Sequence, residues 1–105
     1  MELTDDEIKK IRAQYGPFKV VYVEMDGNDK AYRAVFKKNV GRNAVSKAMS
    51  LASSDPVMSN EVIYRDVIIN DYSDKEILEN SSMFLAMGTH LQALLEQKKT
   101  NSMDY

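Results

Sequence analysis

The chain has 105 residues, of which 44% are hydrophobic and 29% charged, with a formal net charge of −2. That length fits one domain, residues 1–105, around one small core. The near-neutral balance removes the global basic field of a nucleic-acid binder, and the absence of cysteine removes disulfides, thiol catalysis and thiolate metal sites together.

The opening Met1-Glu2-Leu3-Thr4-Asp5-Asp6-Glu7 is acidic, with no basic start and no apolar run behind it. It does not read as a signal peptide, so the expected location is cytoplasmic. No stretch approaches the roughly 18 apolar residues of a membrane span, and no membrane partner is expected. Thr4-Asp5-Asp6-Glu7 has the form of a capping box, with Leu3 and Ile8 spaced as a hydrophobic staple. Acidic residues open this helix and Lys9, Lys10 and Arg12 follow, which suits the helix dipole. Ile8, Ile11 and Tyr15 share a face, and Gly16-Pro17 ends the helix.

Phe18 to Met25 is rich in β-branched and aromatic residues and reads as a strand. Asp26-Gly27-Asn28-Asp29 is a turn signal, and Ala31 to Lys37 alternates so that Tyr32, Ala34 and Phe36 lie on one face. The two runs predict an antiparallel hairpin. Its other face, read as Arg33 and Lys37 with Lys19 and Val21 across the turn, is expected to be largely solvated.

Asn43 to Ser53 predicts a helix whose apolar arc holds Leu51, Ala44, Ala48, Ala52, Val45 and Met49. The three alanines at a spacing of four form a seam for close approach of a second element, either the last helix or the helix that follows. Asp55-Pro56 supplies an N-cap and a first-turn proline for that next helix, which runs to about Val67. Its apolar residues fall on both sides. The expectation is a helix sandwiched between two layers; the alternative is an early end, with Val67-Ile68-Ile69 extended.

Asn70-Asp71-Tyr72 is a turn, and Ser73-Asp74-Lys75-Glu76 is a second capping-box pattern before a short helix. Asn80 or Ser81 caps the last helix, about Ser82 to Lys98, whose stripe holds Met83, Phe84, Met87, Leu91, Leu94 and Leu95 and leaves Leu85 on the polar side. Residues 99–105 read as a flexible tail. The fold expected is α+β: an N-terminal helix and an antiparallel β-hairpin packed on a cluster of three to four helices.

Chemistry-bearing clusters are sparse. His90 is the one histidine, at the edge of the last helix's stripe, with no other imidazole or thiol to help it hold a transition metal. An EF-hand loop starting at Asp26 needs a glutamate where Lys37 stands. Asp66, Asp71, Asp74, Glu76 and Glu79 make one region acidic, yet no glycine-rich phosphate loop accompanies them. Neither a catalytic residue, a metal nor a cofactor is assigned, and no enzyme is expected. Arg33, Lys37, Lys38, Arg42 and Lys47 form the one basic concentration. With Tyr32 and Phe36 nearby they raise an RNA- or DNA-contacting hairpin, but these aromatics alternate with the charges toward the core, so a solvated edge is the simpler role.

Several phrases stand in a telling order: Leu3-Thr4-Asp5-Asp6-Glu7-Ile8-Lys9-Lys10, Tyr15-Gly16-Pro17-Phe18-Lys19-Val20, the hairpin ending Tyr32-Arg33-Ala34-Val35-Phe36-Lys37, the helix to Leu51, Ser54-Asp55-Pro56, Glu61-Val62-Ile63, Asp71 to Ile77, and a closing Leu91-to-Lys98 helix. Over nearly the whole chain this layout resembles the small tail-assembly chaperone-like proteins of tailed phages and prophages. The Arg-Pro pair often found after the hairpin in such proteins has no counterpart in Lys38-Asn39-Val40-Gly41-Arg42.

The resemblance implies a non-enzymatic protein of the bacterial host cytoplasm that binds the helical tape-measure protein before the tail tube assembles. The client segment is expected to enter a groove between helices, with Met58, Val62, Met83, Met87 and Leu94 as the contacting residues. Self-association is compatible with this role. The rival expectation is a small phage-encoded regulator or host-defence inhibitor that acts on protein or nucleic acid through Arg33, Lys37, Lys38, Arg42 and Lys47.

Overall fold

The computed structural model describes residues 2–24, 27 and 30–96. The order is α1 (Asp5–Tyr15), β1 (Phe18–Glu24), β2 (Ala31–Lys37), α2 (Arg42–Leu51), α3 (Pro56–Val67), a 3-10 turn (Asn70–Tyr72), α4 (Glu76–Glu79) and α5 (Ser81–Glu96). The chain is α+β, with the hairpin between α1 on one side and the helical cluster on the other. Asp26, Asn28 and Asp29 of the expected turn, the expected helix end at Lys98 and the tail 99–105 lie outside the described residues.

The local signals act as chemistry requires. Thr4 Oγ accepts from the Glu7 amide at 3.2 Å and Glu7 Oε1 accepts from the Thr4 amide at 2.9 Å, closing the capping box. These bonds, first the one from the Thr4 backbone, hold the Glu7 carboxyl below its ordinary value of 4.5, with Arg33 and Lys10 adding attraction. Gly16 ends α1 at φ 75°, a conformation that glycine adopts without a Cβ clash. Asp55 Oδ1 caps α3 through the Met58 amide at 3.1 Å, with Pro56 at the first position. Asn80 Oδ1 caps α5 through the Ser82 and Met83 amides at 3.0 and 3.1 Å.

The strands pair antiparallel, with Val21 opposite Ala34, Val23 opposite Tyr32 and Lys19 opposite Phe36. Opposed residues of an antiparallel pair share a face. Val21 therefore joins Ala34 and Phe36 in the main core instead of the solvated face expected for it. Nor is the opposite face solvated. Val35 is fully buried there with Ile11 of α1 and Ile69, and Leu3, Tyr15, Phe18, Val20 and Tyr72 pack around them. The sheet thus divides two cores, because its strands carry apolar residues on both faces.

The second correction concerns the chain after α3. The helix ends at Val67, and Ile68 turns extended, bridging to Phe36. The Ile69 amide donates to the Val35 carbonyl at 2.9 Å. Val57 and Met58 at the start of α3 are exposed, while Ser59, Ile63, Tyr64 and Val67 are buried, so the helix has one buried side and no full sandwich. Of the apparent second side, Met58, Val62 and Ile69, the first is exposed, the second is partly buried against the main core, and Ile69 belongs to the extended segment.

Ser73 does not cap a helix. Its hydroxyl accepts from the Val35 amide at 2.8 Å and lies within donating distance of the Ile69 and Val35 carbonyls, 2.8 and 3.1 Å away. Asp74 exchanges two bonds with Arg33: its Oδ2 accepts from the Arg33 amide at 2.8 Å and its amide donates to the Arg33 carbonyl at 2.8 Å. Arg33 Nε donates to the Tyr72 carbonyl at 2.7 Å. Ile69, Ser73 and Asp74 together take the place of a third strand along the outer edge of β2.

The main core joins that sheet face to α3, α4 and α5 through Ile63, Tyr64, Val67, Ile77, Met83, Phe84, Met87, Leu91 and Leu94. Tyr64 and Phe84 meet edge-to-face, with centroids 5.5 Å apart and planes at 78°. Burial, and next the Asp74 carboxylate, push the Tyr64 phenol up from 10.0 to about 12.

Two outcomes follow. Asp74→Ala leaves the outward Arg33 amide unsatisfied and is expected to cost about 1–3 kcal/mol, read as a lower urea midpoint at unchanged slope. Because the folded-state phenol of Tyr64 lies above its unfolded value of 10.0, its contribution is complete below pH 10 and is lost as pH rises through 10 toward 12. Thermal melts between pH 9 and 12 should fall more steeply for the parent chain than for Tyr64→Phe.

Candidate functional site

The alanine seam sits where α2 crosses α3. Ala48 is fully buried there, whereas Ala44 is half-buried and Ala52 exposed. The element that meets the seam at its centre is α3. Near the end of α2 the Ala52 amide bonds the Met49 carbonyl at 3.4 Å, which leaves the Ala48 carbonyl without its usual helical donor. Ser59, 1% exposed, donates its hydroxyl to that carbonyl at 2.6 Å. One buried hydrogen bond therefore joins two helices at the point where a small side chain lets them approach.

Beside this crossing an apolar groove of about 360 Å³ opens between α2 and α5. Val45, Ala48 and Met49 of α2, with Ala52 just past its end, form one wall, and Leu94 and Leu95 of α5 the other. Val40, from the connection after β2, closes one side and Ser59 lies on the floor. Gln92 stands at the border, its amide nitrogen donating to Asn60 Oδ1 at 2.6 Å. Gly88, one turn earlier on α5, faces the Asn60 side chain: a Cβ there would sit 3.2 Å from Asn60 Nδ2. Met49, at 67% exposure, is the most exposed large apolar side chain among the described residues.

A second depression, about 330 Å³, lies across the start of α3 and α5 and is lined by Val57, Glu61, Leu78, Ser81, Phe84 and Leu85. Glu61 on its border pairs with Arg65 at 3.0 Å.

The five residues expected to meet a client are dispersed. Met83 and Met87 are buried in the main core and offer no surface. Val62 packs partly against that core, and Met58 is exposed at the start of α3, outside the groove lining. Leu94 alone of the five lines the groove, but it is as buried as Met83, at 3% exposure, and forms the groove's base more than its open surface. Val45, Met49, Ala52 and Leu95 complete its walls. All four lie on the arcs read from periodicity, but periodicity gives a direction and not the extent to which a neighbour covers it.

The basic residues are likewise divided among tasks. Arg33 holds the Tyr72–Asp74 segment on β2. Lys37 ends β2 opposite Phe18, and the Lys38 amide donates to the Pro17 carbonyl at 3.0 Å. Arg42 and Lys47 are exposed on α2. Among the acidic residues, Asp66 accepts from the Gly41 amide at 2.8 Å and Asp74 serves Arg33. Among the described residues no three His, Asp or Glu side chains converge as a metal site, and no helix is long and apolar enough to cross a membrane.

No family model matches this chain, and no curated protein does. Among solved structures it is similar to the uncharacterised protein rbstp2171 from Bacillus stearothermophilus, with a TM-score of 0.60 over 92% of this chain and 99% of that one, at 13% identity. The likeness is one of fold.

Ser59→Ala removes the donor that the buried Ala48 carbonyl uses, and a loss of about 1–3 kcal/mol is expected in chemical denaturation. Met49→Asp changes an exposed position and should leave the melting temperature within a few degrees of the parent. Met87→Asp places a carboxylate in the core and should unfold the domain.

Proposed function

We propose that this chain is a non-enzymatic protein-binding domain that serves phage or prophage tail assembly as a chaperone or accessory factor. Its client is the tape-measure protein, and an apolar face of a client helix enters the groove between α2, α3 and α5. The observation that carries this reading is the groove itself, where Met49 stands 67% exposed over walls of Val45, Ala52, Leu94 and Leu95.

The polar groups at the groove already have partners: the Ser59 hydroxyl bonds Ala48 and the Gln92 amide bonds Asn60. What remains for a ligand is mainly hydrocarbon, which suits leucine, isoleucine and methionine side chains at helical spacing. A flexible methionine at the rim adapts to the irregular surface that such a client presents. The layout of the sequence points the same way, since the phrases from Leu3 to Lys98 follow the order seen in small tail-assembly proteins. The bacterial host cytoplasm is where such binding takes place.

The test is co-expression of the full chain with the tape-measure protein of the same genome. Met49→Asp combined with Ala52→Asp should reduce co-purification at least about tenfold, equivalent to about 1.4 kcal/mol, while the circular-dichroism melt stays that of the parent. Undiminished capture by this folded variant overturns the groove. Capture lost instead on Arg42→Glu with Lys47→Glu, and weakened steeply by salt, assigns the contact to the charged surface.

A further inference from the structure

The two edges of the hairpin are treated differently. On β2, Arg33 and Val35 turn their amides and carbonyls outward, and Ile69, Ser73 and Asp74 meet them. In an antiparallel ladder the residues alternate between facing the partner strand and facing away. Since Arg33 and Val35 face away from β1, their opposites Tyr22 and Val20 face away from β2. Phe18 and Glu24 follow the same alternation. Among the described residues no backbone or side-chain hydrogen bond reaches the outward groups of Val20 or Tyr22.

Of the usual protections of an edge, β1 carries one charge at a core-facing position, Lys19, and among the described residues lacks the others. β1 has seven residues, Phe18 to Glu24, paired continuously with β2 and free of proline and of any bulge. Its basic residue, Lys19, sits on the face shared with Val21 and Val23. Tyr22 stands 41% exposed and Glu24 is exposed, so the end of the edge is open to solvent.

We propose that β1 is a self-association strand: two copies of the chain join their β1 edges antiparallel about a two-fold axis through Val21, giving a continuous four-stranded sheet. The groups on offer are alternating amides and carbonyls, which only an extended backbone satisfies in register. A second β1 supplies that backbone with its outward residues at the same positions. Centring on Val21 pairs all seven residues without overhang, Val20 with Tyr22, Lys19 with Val23 and Phe18 with Glu24. This register sets no like charges opposite each other and places an exposed tyrosine over a valine, a favourable cross-strand pair. An axis perpendicular to the sheet keeps each face matched to its counterpart, so the contact is isologous and closed. The inference stands on β1 alone and does not depend on the groove.

Sedimentation of the full chain tests it, with Tyr22→Pro as the probe. Proline at this position removes an outward amide and leaves the β1–β2 ladder bonds in place. The parent is expected at twice the mass of one chain, and Tyr22→Pro at the mass of one chain with an unchanged circular-dichroism spectrum. A monomeric parent overturns the proposal, and so does a dimer that survives folded Tyr22→Pro, since such a dimer uses another face. If Tyr22→Pro fails to fold, amide exchange of the parent decides. Slow exchange at Val20 and Tyr22 that quickens on dilution supports the strand contact, and exchange of these amides as fast as in a solvated strand overturns it.

Discussion

The outer edge of β2 is the constraint on which the rest of the molecule depends. A two-stranded hairpin has two edges of unpaired amides and carbonyls and is marginal in water by itself. With β2 buried on both faces, its outward groups at Arg33 and Val35 lie where water is scarce. Each unsatisfied buried group costs on the order of 1–3 kcal/mol. The chain meets this demand locally: α3 stops at Val67, Ile68 bridges to Phe36, and Ile69, Ser73 and Asp74 supply one partner after another. The Arg33 side chain then holds the Tyr72 carbonyl, so the residue whose backbone needs closing also secures the segment that closes it.

This solution explains the placement of the helices. Once Ile68 to Asp74 runs along β2, α3 must arrive over one sheet face, and α4 and α5 must leave over the same core. The Ile69 side chain falls instead on the opposite face with Ile11 and Val35. A single extended stretch therefore sends apolar groups into both cores. α2 packs on α3 at the Ala48–Ser59 crossing, and a groove separates it from the end of α5. The groove is a consequence: small residues bring the helices together at one point, and the larger Met49 and Leu95 beyond that point are left without enough neighbours to cover them.

Much of the fold was legible in local pattern. The capping box at Thr4, the Gly16 stop, the Asp55-Pro56 start, the Asn80 cap and the buried stripe of α5 each follow from atoms within a few residues of one another. Other local patterns give way to the fold for one reason. Ser73-Asp74-Lys75-Glu76 has the composition of a helix start, but the Val35 and Arg33 amides compete for the same oxygens, and the strand edge takes them. Arg33 has the local pattern of a solvated charge, but its bonds to Tyr72 and Asp74 span some forty positions of sequence. Of the residues expected in a groove, Met83 and Met87 belong to the core, because an apolar stripe marks what faces inward and not what a partner can reach.

The sequence by itself determined which segments are helical, where α1, α3 and α5 are capped, that the strands form a hairpin, and which stripe of the last helix is apolar. These depend on backbone preferences, caps and side-chain period, all of which act over a few residues. Only the tertiary structure decided that both faces of the hairpin pack on apolar cores, that Ile69 to Asp74 closes β2 while no described residue closes β1, and that Met49 borders a groove. Those outcomes depend on which unsatisfied hydrogen-bonding group and which uncovered apolar surface finds a partner first in space. That competition is settled between residues far apart in the chain, and no local pattern records it.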